Sequence, residues 1–321
     1  MQQTLARSCE IMAYYIGVDI GGTNLKAGVV DGQGQIISEA SVPTGADRPQ
    51  DVVLGDILGA VMKSIVDAGL SVKDIRAAGM GSPGMIDPEK GIVIYNNNLG
   101  WKDFHIGDKV STALGIPARL ENDADAAALG EVVAGSAKGA KSAMIITLGT
   151  GVGSGYVIDG KIFRGCEFGH MVIAYGGRKC TCGRHGCFEA YCSATGLINM
   201  TKEAIEEHPS STLAELAARE GVVSGHTVFV AAEEGDSVAE HIIDEYTGYL
   251  ACGLANLING LQPEVISVGG GIGKQGERLL VPLREKVAVE VYKGLPMPKI
   301  VSCTLGYKAG LIGAAMSVRD L

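Results

Sequence analysis

Four stretches of the chain combine residue types at spacings that can do chemistry. The first is DIGGTNLK, Asp19 to Lys26. Its paired glycines, Gly21 and Gly22, let backbone N–H groups approach phosphate oxygens with no Cβ in the way, and Thr23 and Asn24 add side-chain donors. Asp19, at a strand end, suits Mg2+ held through water, because that ion keeps much of its hydration. Lys26 completes the motif. The second stretch is LGTGVGSG, Leu148 to Gly155. It lacks the Lys-Ser or Lys-Thr ending of a Walker loop, and it does not open a helix as a dinucleotide fingerprint does. What remains is a glycine-rich turn between strands, with Gly149, Thr150, Gly151 and Gly153 as candidates for ATP phosphates. Two such turns suit a grip on one triphosphate.

The third stretch, ENDADAAALGE, places Asn122 and Asp123 between a strand and a helix start. Either residue suits an N-cap. Asp123 also suits a general base that accepts a hydroxyl proton during phosphoryl transfer. The fourth joins EFGH, Glu167 to His170, with CTCGRHGCFEAY, Cys180 to Tyr191. Cys180, Cys182, Cys187 and His170 make a complete tetrahedral Zn2+ shell, and His185 competes for the imidazole position. A full shell leaves no open position, so such a metal is structural rather than a Lewis acid in the reaction.

Short apolar, β-branched runs must position these motifs. Tyr14–Ile20, Leu25–Val30 and Gln35–Ser41 read as strands with Gly21–Gly22 and Asp31–Gly32 as turns. A helix is expected over Pro49–Ala68, then strands at Ile75–Met80 and Ala118–Leu120, then an alanine-rich helix from Ala124. The pattern then restarts. VDIGGTNLKAGVVDG aligns with ITLGTGVGSGYVIDG, so that Asp31–Gly32 falls on Asp159–Gly160, 128 residues later. One internal repeat of a glycine-bearing hairpin is too few units for a solenoid. Helices follow, the longest from Ser237 to Gly260. Strand Val265–Val268 runs into Gly269–Gly271, and a strand at Lys299–Cys303 and a small-residue helix at Ala309–Val318 finish the chain. Two α/β domains with similar first hairpins are the economical architecture.

Composition narrows the classes. The 27 basic and 36 acidic residues leave a net charge of −9 with no basic run, which argues against a nucleic-acid surface. The longest uncharged stretch, Thr247–Pro263, is broken by glycines and asparagines, so no membrane span is expected. No apolar leader is visible in residues 1–13, which read as a disordered extension. A cytoplasmic location follows, and with it metal binding rather than disulfides for the cysteine cluster.

DIGGTNLK, END, LGTGVGSG, EFGH and CTCGRHGCFE, in this order, resemble the ROK family of repressors, open reading frames and kinases, and within it the bacterial glucokinases. The likeness runs from about Tyr14 to the C-terminus. It implies a two-domain, actin-like (ribonuclease H-like) α/β sugar-kinase fold with an inter-domain cleft. Residues 14–133 plus 309–321 would form the N-terminal domain, and 134–308 a larger C-terminal domain with the zinc loop. It implies ATP-dependent phosphorylation of a hexose 6-hydroxyl, with glucose first among the candidates and N-acetylmannosamine, N-acetylglucosamine, fructose or mannose as alternatives. Asp123 would be the base. Gly84, Asn122, Asp123, Glu167, His170 and Glu189 would bind the sugar, and Gly270 and Gly271 would lie near the nucleotide. The family also implies a homodimer or homotetramer. Its repressors carry a DNA-binding module ahead of this core, for which a dozen residues before the first strand are too few. Since Glu167, His170 and Glu189 are tethered to the cysteine loop, that loop is expected to govern sugar affinity more than ATP affinity.

Overall fold

The computed structural model describes residues 13–45, 48–96 and 99–321. The extension expected over residues 1–13 lies outside this range apart from Ala13, which is buried. In the first half the strands are β1 (Tyr14–Ile20), β2 (Asn24–Asp31), β3 (Ile36–Pro43), β4 (Ile75–Ser82), β5 (Met85–Asp87), β6 (Ile92–Asn96), β7 (Trp101–Phe104) and β8 (Ala118–Asn122). The second half adds β9 (Ser142–Leu148), β10 (Val152–Ile158), β11 (Lys161–Ile162), β12 (Val265–Gly269) and β13 (Lys299–Ser302).

Two five-stranded sheets have the same plan, β3-β2-β1-β4-β8 and β11-β10-β9-β12-β13. Antiparallel hairpins occupy one side of each plan and parallel strands the other. The repeat read in the sequence is structural: β1 and β9 begin 128 residues apart, at 14 and 142, and β2 and β10 likewise, at 24 and 152. Even the alternation of buried and partly buried positions along β1 and β9 is identical. The three-stranded sheet β5-β6-β7 had no counterpart in the sequence reading. Its strands are three to five residues long, too short for alternation to declare them.

By internal contacts the chain forms two compact units. One comprises residues up to Ser142, Gly155–Arg164 and Thr304–Leu321; the other comprises Ala143–Ser154 and Gly165–Cys303. Relative to the division implied by resemblance, residues 134–142, 155–164 and 304–308 fall with the first unit. Specific bonds account for this. Buried Glu131 accepts the N–H groups of Ser136, Thr304 and Leu305 at 2.7, 3.0 and 2.9 Å, and Arg164 pairs with fully buried Glu121.

In the first unit, β1, β2 and β4 pack with the helix Gln50–Asp67 around a core that includes Ile16, Val18, Ile57, Val61, Met80 and Trp101. The C-terminal helix Lys308–Met316 belongs to this unit and is buried along its length from Ala309. Its backbone comes so close to β4 that a Cβ on Gly79 would meet the carbonyl of Ala314 at 1.7 Å. Small residues on both sides therefore set the packing distance, and any larger side chain at Gly79 forces the helix off the sheet. In the second unit the 25-residue helix Ser237–Leu261 buries Ile242, Tyr246, Leu250, Leu254, Leu257 and Ile258 at helical spacing. No helix among the described residues is long and apolar enough to cross a membrane.

Candidate active site

In the first unit, β1, β4 and β8 are parallel neighbours, and the register aligns Asp19 with Gly81 and Gly81 with Glu121. Asp19 and Asp123 therefore stand at the carboxyl ends of two strands that flank β4, the end at which parallel α/β sheets bind ligands. Antiparallel pairing sets Lys26 directly across from Asp19. Burial pushes the Asp19 carboxyl up to about 6; the nearby Asp123 carboxylate adds to the rise and Lys26 opposes it. Asp123 is also raised, mainly by burial, against the lowering effect of backbone N–H donors. Room for the Asp19 carboxylate comes from the C-terminal helix, where a Cβ on Gly310 would lie only 2.9 Å from its carboxyl carbon. Lys26 Nζ sits 3.6 Å from the Tyr307 ring centroid, a cation–π contact that fixes its direction.

At the helix Asp123–Ala134 the geometry assigns the cap. Asn122 Oδ1 accepts the N–H groups of Ala124 and Asp125 at 2.9 and 3.4 Å, so Asn122 is the N-cap. Asp123 Oδ1 takes the adjacent Ala124 N–H, at 2.9 Å. The helix thus does not rely on Asp123 to begin. In the first hairpin the Gly21 N–H donates to the Asn24 carbonyl at 3.1 Å and Thr44 Oγ1 donates to the Gly21 carbonyl at 2.6 Å. Gly22, Thr23 and Asn24 stay exposed at the tip. Gly84 follows β4 in a turn at φ 99°, against the backbone of Tyr95 and Asn96. Because Ser82 pairs with Asn122, that turn continues just past the end of β8.

The second unit carries the other candidates. The turn at Gly149–Gly151 is tight, with the Gly149 N–H donating to the Gly151 carbonyl at 3.0 Å. The start of the helix Ala194–Glu207 holds it from behind: the Ala194 N–H reaches the Gly149 carbonyl at 2.7 Å and Thr195 Oγ1 the Thr150 carbonyl at 2.8 Å. Gly153 follows in β10. Parallel pairing of β9 and β12 aligns Thr147 with Gly269, and Gly270, at φ 81°, lies against Leu148. Gly270 and Gly271 are thereby placed beside the second hairpin.

His170, Cys180, Cys182 and Cys187 present one ligand atom each within 4.8 Å of one another. The Cys182–Cys187 sulfur distance is 3.7 Å, and Cys180 Sγ is 3.6 Å from His170 Nδ1. Zinc bonds of ~2.3 Å to sulfur and ~2.0–2.1 Å to nitrogen at tetrahedral angles require about 3.8 and 3.6 Å for these separations. The donor set therefore fits the ion in kind, and these two separations fit it in spacing. Burial and the adjacent thiols push Cys187 up to about 12, so sulfurs this close do not all ionise without a cation among them. His185 is exposed and outside the group, in an isolated bridge with Lys179. With Nδ1 toward the cysteines, His170 keeps Nε2 outside the group, and a metal on Nδ1 would make Nε2 an N–H donor.

Glu167 is exposed and starts the short turn Phe168–His170, whose Gly169 packs against the Val152 carbonyl. Glu189 lies in the turn-and-a-half helix Phe188–Cys192. Its Oε1 accepts Thr181 Oγ1 at 3.1 Å, and its Oε2 accepts the Val152 N–H at 3.1 Å. That second bond joins the segment just after the cysteine loop to the glycine-rich hairpin that contains Val152. The sequence reading missed Thr181, Tyr307 and Glu131. A glutamate that closes ENDADAAALGE was the one available signal, since a carboxylate on an otherwise apolar, alanine-rich face demands partners.

The ROK family pattern matches residues 15–320. Over 319 residues the chain is 36% identical to a glucokinase from Halalkalibacterium halodurans, covering 96% of this chain and 95% of that protein. Among solved structures it is similar to a ROK family glucokinase from Streptomyces griseus in complex with glucose and AMPPNP. That match has a TM-score of 0.75 and 34% identity, and covers 94% of this chain and 98% of that one. A ROK hexokinase from Thermus thermophilus superposes with a TM-score of 0.83 at 31% identity, covering 96% of this chain and all of that one. The fold is the two-domain actin-like fold of these sugar kinases, and the chain belongs to the ROK family.

Proposed function

We propose that this protein is an ATP-dependent glucokinase, which transfers the γ-phosphoryl group of ATP to the 6-hydroxyl of glucose. The observation that carries the reading is the pair of half-buried carboxylates with raised proton affinity, Asp19 and Asp123, at the carboxyl ends of β1 and β8, with a neighbouring residue rather than Asp123 capping the helix. Asp123 accepts the hydroxyl proton as the sugar oxygen attacks phosphorus. The bond to the bridging oxygen breaks, and ADP leaves with that electron pair. Its raised affinity for a proton makes it a better base than an exposed aspartate.

Asp19 would hold Mg2+, which would supply neutralisation of charge on the ATP phosphates. Asp19, Gly21, Gly22, Thr23, Asn24 and Lys26 serve the nucleotide in the first unit, and Gly149, Thr150, Gly151, Gly153, Gly270 and Gly271 serve it in the second. The sugar is read by Gly84, Asn122 and Asp123 of the first unit and by Glu167, His170 and Glu189 of the second. Sites built from such fixed donors and acceptors reject sugars that lack the matching hydroxyl. His170, Cys180, Cys182 and Cys187 would hold Zn2+, which would serve as a structural ion that shapes the sugar-binding loop. The working protein is a homodimer or homotetramer in the cytoplasm. An ADP-release assay across glucose, fructose, mannose, N-acetylmannosamine and N-acetylglucosamine tests the reading. Glucose should have the highest kcat/KM. Another sugar at the top reassigns the substrate, and no turnover with any of them overturns the kinase reading.

A further inference from the structure

Glu189 sits where two loops of the second unit meet. Its backbone follows Cys187, and its side chain crosses to the glycine-rich hairpin. A carboxylate offers about four lone-pair positions. Thr181 Oγ1 takes one on Oε1, at 3.1 Å, and the Val152 N–H takes one on Oε2, at 3.1 Å. Cys180 Sγ also lies 3.7 Å from Oε1, so the position left for a sugar hydroxyl is on Oε2. The fit against the hairpin is close: a Cβ on Gly151 would lie 2.4 Å from Oε2. Gly151 is not in a left-handed conformation, so Glu189 is what excludes a side chain there.

We propose that Glu189 is the coupling residue between the sugar and nucleotide sites, holding the Gly149–Val152 turn in its phosphate-binding shape when a sugar hydroxyl orders its carboxylate. The proposal rests on the glucokinase reading and deepens it. The physical basis is that one carboxylate contributes to both sites. Thr181 and the Val152 N–H hold the carboxylate without sugar, and a glucose hydroxyl on Oε2 restricts it further. Glucose, bound first, has already restricted it, so the nucleotide then binds a better ordered turn. Reciprocity follows: nucleotide must tighten glucose by the factor by which glucose tightens nucleotide.

The experiment is calorimetric titration of the full-length protein with glucose and with Mg2+–AMPPNP, each alone and in the presence of the other at saturation. In the unaltered protein each ligand should tighten the other by the same factor, within the usual ~5–150-fold of coupled sites. Gly151→Ala places a methyl group against Oε2. It should bring that factor to within about twofold of unity while glucose alone still binds. A second variant separates this cause from simple blockage of the phosphate. Adding Glu189→Asp draws the carboxylate back from the new methyl, so Gly151→Ala with Glu189→Asp should bind AMPPNP more tightly than Gly151→Ala alone. A coupling factor of one in the unaltered protein, an unchanged factor in Gly151→Ala, or strictly additive effects of the two substitutions overturns the proposal. Absence of glucose binding to the unaltered protein overturns instead the glucokinase reading beneath it.

Discussion

Replacing Asp19 by Asn should make the ligand-free protein more stable at neutral pH while stopping turnover. The carboxyl group is pushed from 3.8 up to about 6, mainly by burial and further by Asp123. In the folded state the ionised form is therefore disfavoured relative to the unfolded chain. Between pH 3.8 and 6 the folded protein binds more protons than the unfolded one, so this group's contribution to stability falls as pH rises through that window. At about 1.4 kcal/mol per pH unit, the contribution changes by about 2 kcal/mol from pH 4.5 to pH 8. Asn carries no such dependence, but it also loses the attraction to Lys26. The expected gain at pH 8, relative to the difference at pH 4.5, is about 1–2 kcal/mol, or about 2–8 °C in melting temperature. Thermal melts of both proteins at pH 4.5, 6 and 8, without Mg2+ or nucleotide, read this directly. A difference that does not change with pH, or an Asn variant less stable than the parent at pH 8, refutes the reasoning. If the Asn variant turns over normally, Asp19 has no part in ATP binding.

Asp123→Asn should melt at pH 7 no lower than the parent, because Asn122 is the cap and a carboxylate disfavoured by burial is removed, and should lose ~10²–10⁴-fold in kcat; retention of more than about a tenth of the parent rate dismisses it as the base. In the parent, kcat should fall as pH drops through the raised Asp123 value, because the base must be ionised, and a flat acid limb speaks against that role. Metal analysis of protein purified without added zinc should find about one Zn2+ per chain, and Cys182→Ser should raise both the glucose and the ATP KM, because Glu189 links the loop to a hairpin. A rise confined to glucose would show that the link carries no energy. Glu131→Ala strands up to three N–H donors and should cost about 2–4 kcal/mol in denaturant unfolding; a loss below about 1 kcal/mol means that water replaces the carboxylate without penalty.

Much of the fold was legible because its signals are local. The strands Tyr14–Ile20 and Ser142–Leu148 match their expected limits, since short β-branched runs closed by paired glycines allow little else. The 128-residue repeat was visible because the turn chemistry of both hairpins demands glycine and Asp-Gly at the same places. The cysteine cluster was equally plain, as soft ligands at close spacing serve few other ends in the absence of disulfides.

Other features depend on backbone geometry or on contacts between residues distant in the chain, which no spacing encodes. Asn122 and Asp123 are both good caps by type, and only backbone geometry gave the role to Asn122. His170 and His185 are equal as ligands on paper; the fold turned one toward the thiols and left the other exposed. The raised carboxyl of Asp19 depends on Gly310, 291 positions away (19 to 310), and on Asp123, because burial and Coulomb repulsion act through space. The bond from Glu189 to the Val152 N–H exists for the same reason: sequence stated which side chain can accept a hydrogen bond, and tertiary packing chose the donor.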